Sequence, residues 1–146
     1  MPNNSPEITI VNYTDGNFDE VKAVWEECGL FYGECDKRES LRKKIQQDPE
    51  SIMVAKSGGK IIGTVVIIFD YYISYVYRLG VLPQYRSQGI GKLLADEALK
   101  RLKRKGANGA CFFVNPGNSL MLNACLKHGG LKNYGPFIYL AKPLDD

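Results

Sequence analysis

The sequence predicts an α/β fold, a mixed sheet with helices on both faces. Three observations predict it. The run Ile61-Ile-Gly-Thr-Val-Val-Ile-Ile-Phe69 is nearly all apolar, so it needs cover on both faces, as a central strand does. Residues 75–82 are rich in β-branched, aromatic and leucine residues and suit a buried strand, which Pro83 ends. From 92 to 105, Leu94, Ala98, Leu99 and Leu102 recur at helical spacing. With their neighbours these stretches give the order β-α-α-β-β-β-α-β-α-β in a single domain, 1–146.

The elements follow in turn. Residues 1–6 read as a frayed end, and 7–13 alternate around Ile8 and Ile10 as a first strand. Asn17 followed by Glu20 reads as a capping box. Phe18, Val21, Trp25 and Cys28 then share one helical face, with Trp25 in the core, and Gly29 ends the helix. Residues 29–35 form a short aromatic loop. Asp36 with Glu39 signals a second helix, with Leu41 and Ile45 inward and Pro49 closing it. Strands 51–56 and 60–69 are joined by Ser57-Gly58-Gly59, a hairpin signal. Asp70-Tyr-Tyr turns the chain into strand 75–82. The helix after it stops near Gly106, and 110–114 is the next strand. Residues 118–127 form another helix, with Leu122 and Leu126 one turn apart, stopped by Gly129-Gly130. Residues 137–140 read as a last strand. Pro116, Pro136 and Pro143 fall at element ends, where proline is tolerated.

Bulk properties exclude several function classes. A hydrophobic content of 45% and a charged content of 24% are ordinary for a globular domain. No apolar run approaches a membrane span, so no membrane partner is expected. Met-Pro-Asn-Asn-Ser-Pro has neither the basic start nor the apolar run of an export signal, so a cytoplasmic location is expected. A net charge of +3 does not argue for nucleic acid. Cys28, Cys35, Cys111 and Cys125 form no Cys-x-x-Cys pair, and His128 is the one histidine, so no metal site is expected.

Between the strand at 75–82 and the helix that follows lie Arg86, Gly89 and Gly91. Glycines there let the backbone turn sharply and approach a ligand. The first free amides of the helix converge on one spot that favours an anion, which makes a diphosphate cradle of main chain. It is not a nucleotide P-loop, because Leu93 follows Lys92 where a hydroxyl is needed. Nor is it a dinucleotide fingerprint, because Leu94 stands at the third glycine position. What fits is Arg-x-x-Gly-x-Gly, preceded by Leu79-Gly-Val-x-Pro-x-Tyr85. This pattern resembles motif A of the GNAT family of N-acetyltransferases, and the element order resembles that family over nearly the whole chain. The chain looks like its small single-domain bacterial and archaeal members.

The resemblance implies acetyl-CoA as acetyl donor, with no metal, and direct transfer to a primary amine in a ternary complex. It implies that strand 75–82 splays from strand 110–114 and receives the pantetheine arm. Val81 would offer amide and carbonyl to pantetheine, and the Leu79 amide would polarise the thioester carbonyl. Gly80 between them allows a bulge or serves close backbone packing. The loop Ser87, Gln88, Gly89, Ile90, Gly91 and Lys92 would bind pyrophosphate through its amides, with Arg86 adding charge or bracing the loop. Lys92 and the basic run 100–105 can meet a nucleotide phosphate, or the run is a solvated helix face.

The family's proton-return pattern is Asn, a tyrosine seven residues on, then Gly-Phe. Asn118 fits the first position and is carried over as a coenzyme-binding residue. Cys125 stands where the tyrosine would, and Gly130 replaces the phenylalanine. A thiol can protonate a departing thiolate, since the two pKa values are close; Tyr134, Tyr139 or a water can substitute, and Cys125 can also simply pack. Asp70, at the end of the apolar strand, is the first candidate for general base, against a turn-capping role. Glu34 and Asp36 can recognise a cationic acceptor. Phe31, Tyr32, Tyr71, Tyr72, Tyr75 and Tyr77 are either core or a ring-lined wall for an amine on an apolar body. The acceptor class, small molecule or peptide or protein amine, is open, and pairing into a homodimer is common in the family. Two alternatives stand beside the enzyme: a non-catalytic acyl-CoA binder, suggested by Cys125, and a nucleic-acid module using the basic helix.

Overall fold

The computed structural model describes residues 6–114, 118–128, 130–138 and 140–144, with the side chains of Leu120 and His128 outside that description. Residues 1–5, Pro116, Gly129 and Tyr139 therefore lie outside the described residues. The chain falls into two compact units, Met1–Phe112 and Phe113–Asp146. The first holds β1 (Ile8–Asn12), α1 (Phe18–Glu27), α2 (Arg38–Gln47), β2 (Ile52–Ser57), β3 (Lys60–Ile68), β4 (Tyr75–Val81), α3 (Ile90–Lys105) and β5 (Cys111–Phe112). The second holds α4 (Ser119–His128).

Among the described residues the strands form one five-stranded sheet in the order β1-β2-β3-β4-β5. The first four pair antiparallel and β4 pairs parallel with β5, so the sheet is mixed. Its centre is β3, buried from Ile61 to Ile67 as its unbroken apolar run requires. The two faces separate on adjacent residues. Thr64 bonds Trp25 of α1, while a Cβ on Gly63 would stand 3.1 Å from Leu94 of α3. Neighbouring strand residues point to opposite faces, so α1 and α3 cover opposite sides. Lys44 of α2 lies over the ring of Tyr77, which pairs with Val66 on the face of Thr64, so α2 joins α1.

Several local signals resolve differently from the sequence reading. The box at Asn17 and Glu20 does not form. A 3₁₀ turn at Asp15–Asn17 precedes α1, the Thr14 amide donates to Asn17 Oδ1 at 2.9 Å, and Glu20 instead accepts from the Ile61 amide at 3.2 Å. α2 starts at Arg38 with no side-chain cap: its N-cap is Lys37, whose side chain has no acceptor to offer, and Asp36 before it is engaged with Arg78. β5 is two residues rather than 110–114. Of 137–140, the described residues 137, 138 and 140 are in no strand and are exposed.

The basic run divides: Lys100 and Lys103 are exposed, while Arg101, Arg104 and Lys105 are engaged by the protein. Arg101 is buried and donates to Glu97 at 3.0 Å, Asn12 at 2.6 Å and the Glu50 carbonyl at 2.8 Å. Arg104 pairs with Glu50 and Lys105 with Asp48, each at 2.8 Å. These cations clamp α3 to β1 and to the turn before β2.

Asp15 ties the 3₁₀ turn to α2 through Arg38 at 2.9 Å and Arg42 at 2.8 Å. Hydrogen bonds from Arg38 and then Arg42 hold its carboxyl well below the usual carboxylate range. A carboxyl whose folded pKa is depressed adds stability above its unfolded pKa, and that stability goes as pH falls toward the folded value. Asp15→Asn is therefore expected to melt below the parent at pH 7. In melting curves taken at decreasing pH, the gap should close below about pH 4.

Candidate functional site

The site begins where β4 loses its neighbour. β5 pairs only with Tyr75 and Val76 and ends at Phe112, while β4 runs on to Val81. Beyond Val76 that edge of β4 has no strand beside it among the described residues. On the other side, the Leu82 amide donates to the Ile62 carbonyl at 2.8 Å. Orientation alternates along an antiparallel ladder, so the amide and carbonyl of Val81 face the open edge. The carbonyl is occupied, however: it accepts from Arg86 Nε at 2.8 Å and from the Cys28 thiol at 3.4 Å. Of the two Val81 groups expected to meet pantetheine, this leaves the amide. The same bonds show that Arg86 braces the glycine loop against the strand end.

A bulge interrupts β4 next to this point. Thr64 pairs with Gly80 and Val66 with Tyr77, so Arg78 and Leu79 together stand opposite Val65. Arg78 takes φ 51°, a left-handed conformation that is strained for a residue with a Cβ. The extra residue explains how Tyr77 and Gly80 face the same side of the sheet. The bulge thus lies before Gly80, and Gly80 itself serves close packing: a Cβ there would sit 2.7 Å from Leu30 and 3.3 Å from Cys28 Sγ.

Three groups hold the bulge. The Thr64 hydroxyl donates to the Arg78 carbonyl at 2.8 Å and accepts from Trp25 Nε1 at 2.8 Å. The Arg78 guanidinium pairs with Asp36 at 3.0 Å and lies over the rings of Trp25 and Tyr77. Asp36 also accepts from the Tyr32 amide at 2.8 Å. Asp36 is therefore buried and committed to Arg78, and is not offered to a cationic acceptor. Sequence reasoning missed Arg78. The available signal was a guanidinium inside an otherwise apolar strand, which needs a buried anion.

The glycine loop leads from a 3₁₀ turn at Pro83–Tyr85 into α3, which starts at Ile90, two residues before the expected start. Ser87 and Gly89 both have positive φ, 64° and 82°. The Leu93 amide makes a helical bond to the Gly89 carbonyl at 3.1 Å. The amides of Ile90, Gly91 and Lys92 precede it and have no intrahelical acceptor. A Cβ on Gly89 would meet nothing within 4 Å, so the cradle is open there. Gln88 is exposed, the Ile90 side chain is buried, and the Lys92 ammonium turns to Asp96 at 2.5 Å.

The acceptor candidates divide. The loop carrying Tyr32 and the exposed Glu34 is tied to β4, through Leu30 over Gly80 and Asp36 on Arg78. Tyr75 and Tyr77 pair with Ile68 and Val66 and so share the face that α1 and α2 cover. Tyr77 is half-buried, and burial first of all pushes its phenol up to about 12. Tyr72 is 90% exposed in the turn before β4, and Tyr71 beside it packs on Phe69. Asp70 is exposed past the end of β3. Four residues of strand separate Tyr75 from Leu79, about 13 Å, and Asp70 lies beyond Tyr75, out of direct reach of the Leu79 amide.

In the second unit Asn118 caps α4. Its Oδ1 accepts from the Met121 amide at 3.2 Å and its carbonyl from Leu122 at 3.0 Å. Cys125 is buried, and burial pushes its thiol up. Tyr134 is exposed, while Tyr139 and the His128 side chain lie outside the described residues. Among the described residues no cluster of His, Cys, Asp or Glu could hold a metal, and no helix is long and apolar enough to cross a membrane.

Comparison with known proteins converges on one family. The family model described as acetyltransferase (GNAT) family matches residues 19–129. An acetyltransferase of Photorhabdus laumondii is 29% identical over 79% of this chain and 80% of its own. An acetyltransferase of Yersinia pestis is 32% identical over 75% of this chain and 78% of its own. The PaiA N-acetyltransferase of Thermoplasma acidophilum, solved in complex with coenzyme A, superposes with a TM-score of 0.71. It covers 83% of this chain and 87% of its own at 22% identity, a likeness of fold.

Proposed function

Because this chain belongs to the GNAT acetyltransferase family and is an N-acetyltransferase, we propose that it takes acetyl-CoA as donor and a primary amine as acceptor. The observation that carries the reading is the open edge of β4, bulged at Arg78–Leu79, running into the free amides of α3. A relative of the same fold was solved with coenzyme A, which supports the choice of donor. All four cysteines are free thiols, in keeping with a cytoplasmic protein.

When bound, acetyl-CoA supplies a thioester whose acetyl group passes to the amine nitrogen as the carbon–sulfur bond breaks, the coenzyme leaving as a thiolate that takes up a proton. The Leu79 amide stabilises the negative charge that develops on the carbonyl oxygen. The Val81 amide holds the pantetheine arm. The loop from Ser87 through Gln88, Gly89, Ile90, Gly91 and Lys92 receives the pyrophosphate through main chain, braced by Arg86. Tyr32, Glu34, Tyr72, Tyr75 and Tyr77 line the acceptor's approach, Glu34 facing a cation. Asp70, too far for contact or for one bridging water, takes the amine proton through a chain of waters.

The purified protein, given acetyl-CoA and a library of small amines and peptides, is expected to release thiol only when a suitable amine is present. Background release with every amine, while coenzyme still binds, overturns the assignment of the acceptor. Repeating the assay with Asp70→Asn and Cys125→Ala tests the two proton roles, and an unchanged rate removes that residue from the mechanism.

A further inference from the structure

We propose that Thr64 is a positioning residue for the transfer: its hydroxyl, fixed by Trp25, aims the Leu79 amide at the open edge of β4. The proposal rests on the reading above, in which that amide meets the thioester oxygen. Thr64 is fully buried in a strand whose other residues from Ile61 to Ile67 are apolar. Valine would fill the same space there, so packing alone does not call for a hydroxyl. The hydroxyl is satisfied on both sides, by Trp25 Nε1 as donor and the Arg78 carbonyl as acceptor, each at 2.8 Å.

The consequence follows from one peptide group. The Arg78 carbonyl and the Leu79 N–H belong to the same planar trans peptide and point in opposite directions. Holding the carbonyl inward on Thr64 therefore turns the N–H outward, to the side β5 does not cover. In a bulge the extra residue drops out of the ladder, so the partner strand's main chain does not fix this peptide. Arg78 at φ 51° is also a conformation that persists only where the surroundings over-determine it. Without the hydroxyl, the buried carbonyl loses its partner and the peptide is free to rotate.

The test compares Thr64→Val, Thr64→Ser and Trp25→Phe with the parent in kcat, KM for acetyl-CoA and coenzyme A affinity by calorimetry. Thr64→Val is expected to lower kcat about 10- to 100-fold, as misplacement of a reacting group does. KM and coenzyme affinity should stay within about twofold, because the phosphate cradle is separate. Thr64→Ser should restore kcat to within about threefold, since it keeps the hydroxyl. Trp25→Phe removes the donor behind Thr64 together with part of the buried indole and its contact with Arg78, so it should show the same split in smaller measure at a lower melting temperature; it carries the test if Thr64→Val does not fold. Unchanged kcat in Thr64→Val, equal losses of kcat and coenzyme affinity, or no rescue by serine overturns the proposal. Failure of the underlying reading looks different, because the parent protein itself then releases no thiol with any amine.

Discussion

Replacing Gly89 by alanine is expected to weaken coenzyme A binding about 30-fold or more while lowering the melting temperature by only a few degrees. Gly89 caps α3 at φ 82°. An added Cβ there touches nothing within 4 Å, so lost packing is not the cost. The cost is conformational, about 1–2 kcal/mol for an L residue held left-handed. In the free protein part of that strain relaxes by turning the loop, which misaligns the amides of Ile90, Gly91 and Lys92. Binding must restore the strained form, and a bulky phosphate meets the new methyl as well. Gly91→Ala is the control. Gly91 sits inside the first helical turn, and its added Cβ would make an ordinary contact with Val81 at 3.9 Å. Alanine gains about 1 kcal/mol over glycine in a helix, so this variant should melt no lower than the parent. Calorimetry with coenzyme A and thermal melts on both variants settle the matter. Parent-like affinity in Gly89→Ala would remove this loop as the phosphate site.

The parts legible in the sequence are those written in neighbouring residues. The apolar run at 61–69, the Ser57-Gly58-Gly59 hairpin and the strand-glycine-helix passage each need one local pattern, and each stands where expected, save that α3 opens two residues early at Ile90. What stayed hidden depends on contacts across the chain. Asp36 followed by Glu39 has the look of a helix start, yet its partner Arg78 is 42 residues away. Asn17 and Glu20 mimic a capping box, but Glu20 is drawn to the Ile61 amide on another element. Arg104 and Lys105 of the basic run look solvated until Glu50 and Asp48 fold against them. Gly80 marked the region of the bulge without marking its residue. The bulged Arg78 carbonyl is bonded by Thr64 on the adjacent strand, a contact that no pattern within β4 reports.

Arg78→Ala is expected to cost about 3 kcal/mol of stability, and Asp36→Ala less. The pair is largely removed from water, with the side chains 18% and 8% exposed. Truncating the arginine leaves a buried carboxylate whose remaining partner is the Tyr32 amide. Truncating the aspartate leaves a guanidinium that still reaches some solvent and the rings of Trp25 and Tyr77. The double variant should therefore be more stable than the two single losses added together, by about 1.5 kcal/mol or more. Strict additivity would mean that the bridge contributes nothing. Arg78→Gly separates backbone from side chain: it loses the same bridge but sheds the strain of φ 51°, so it should exceed Arg78→Ala in stability by about 1 kcal/mol. Trp25, the one tryptophan, lies 5.9 Å from the Arg78 guanidinium, so its fluorescence follows unfolding where the bridge stands. The bridge also fastens the loop of Tyr32 and Glu34 to the strand that carries the Leu79 amide. If that loop receives the acceptor as proposed, loosening it should raise the KM for the amine more than that for acetyl-CoA, whose proposed cradle rests on α3.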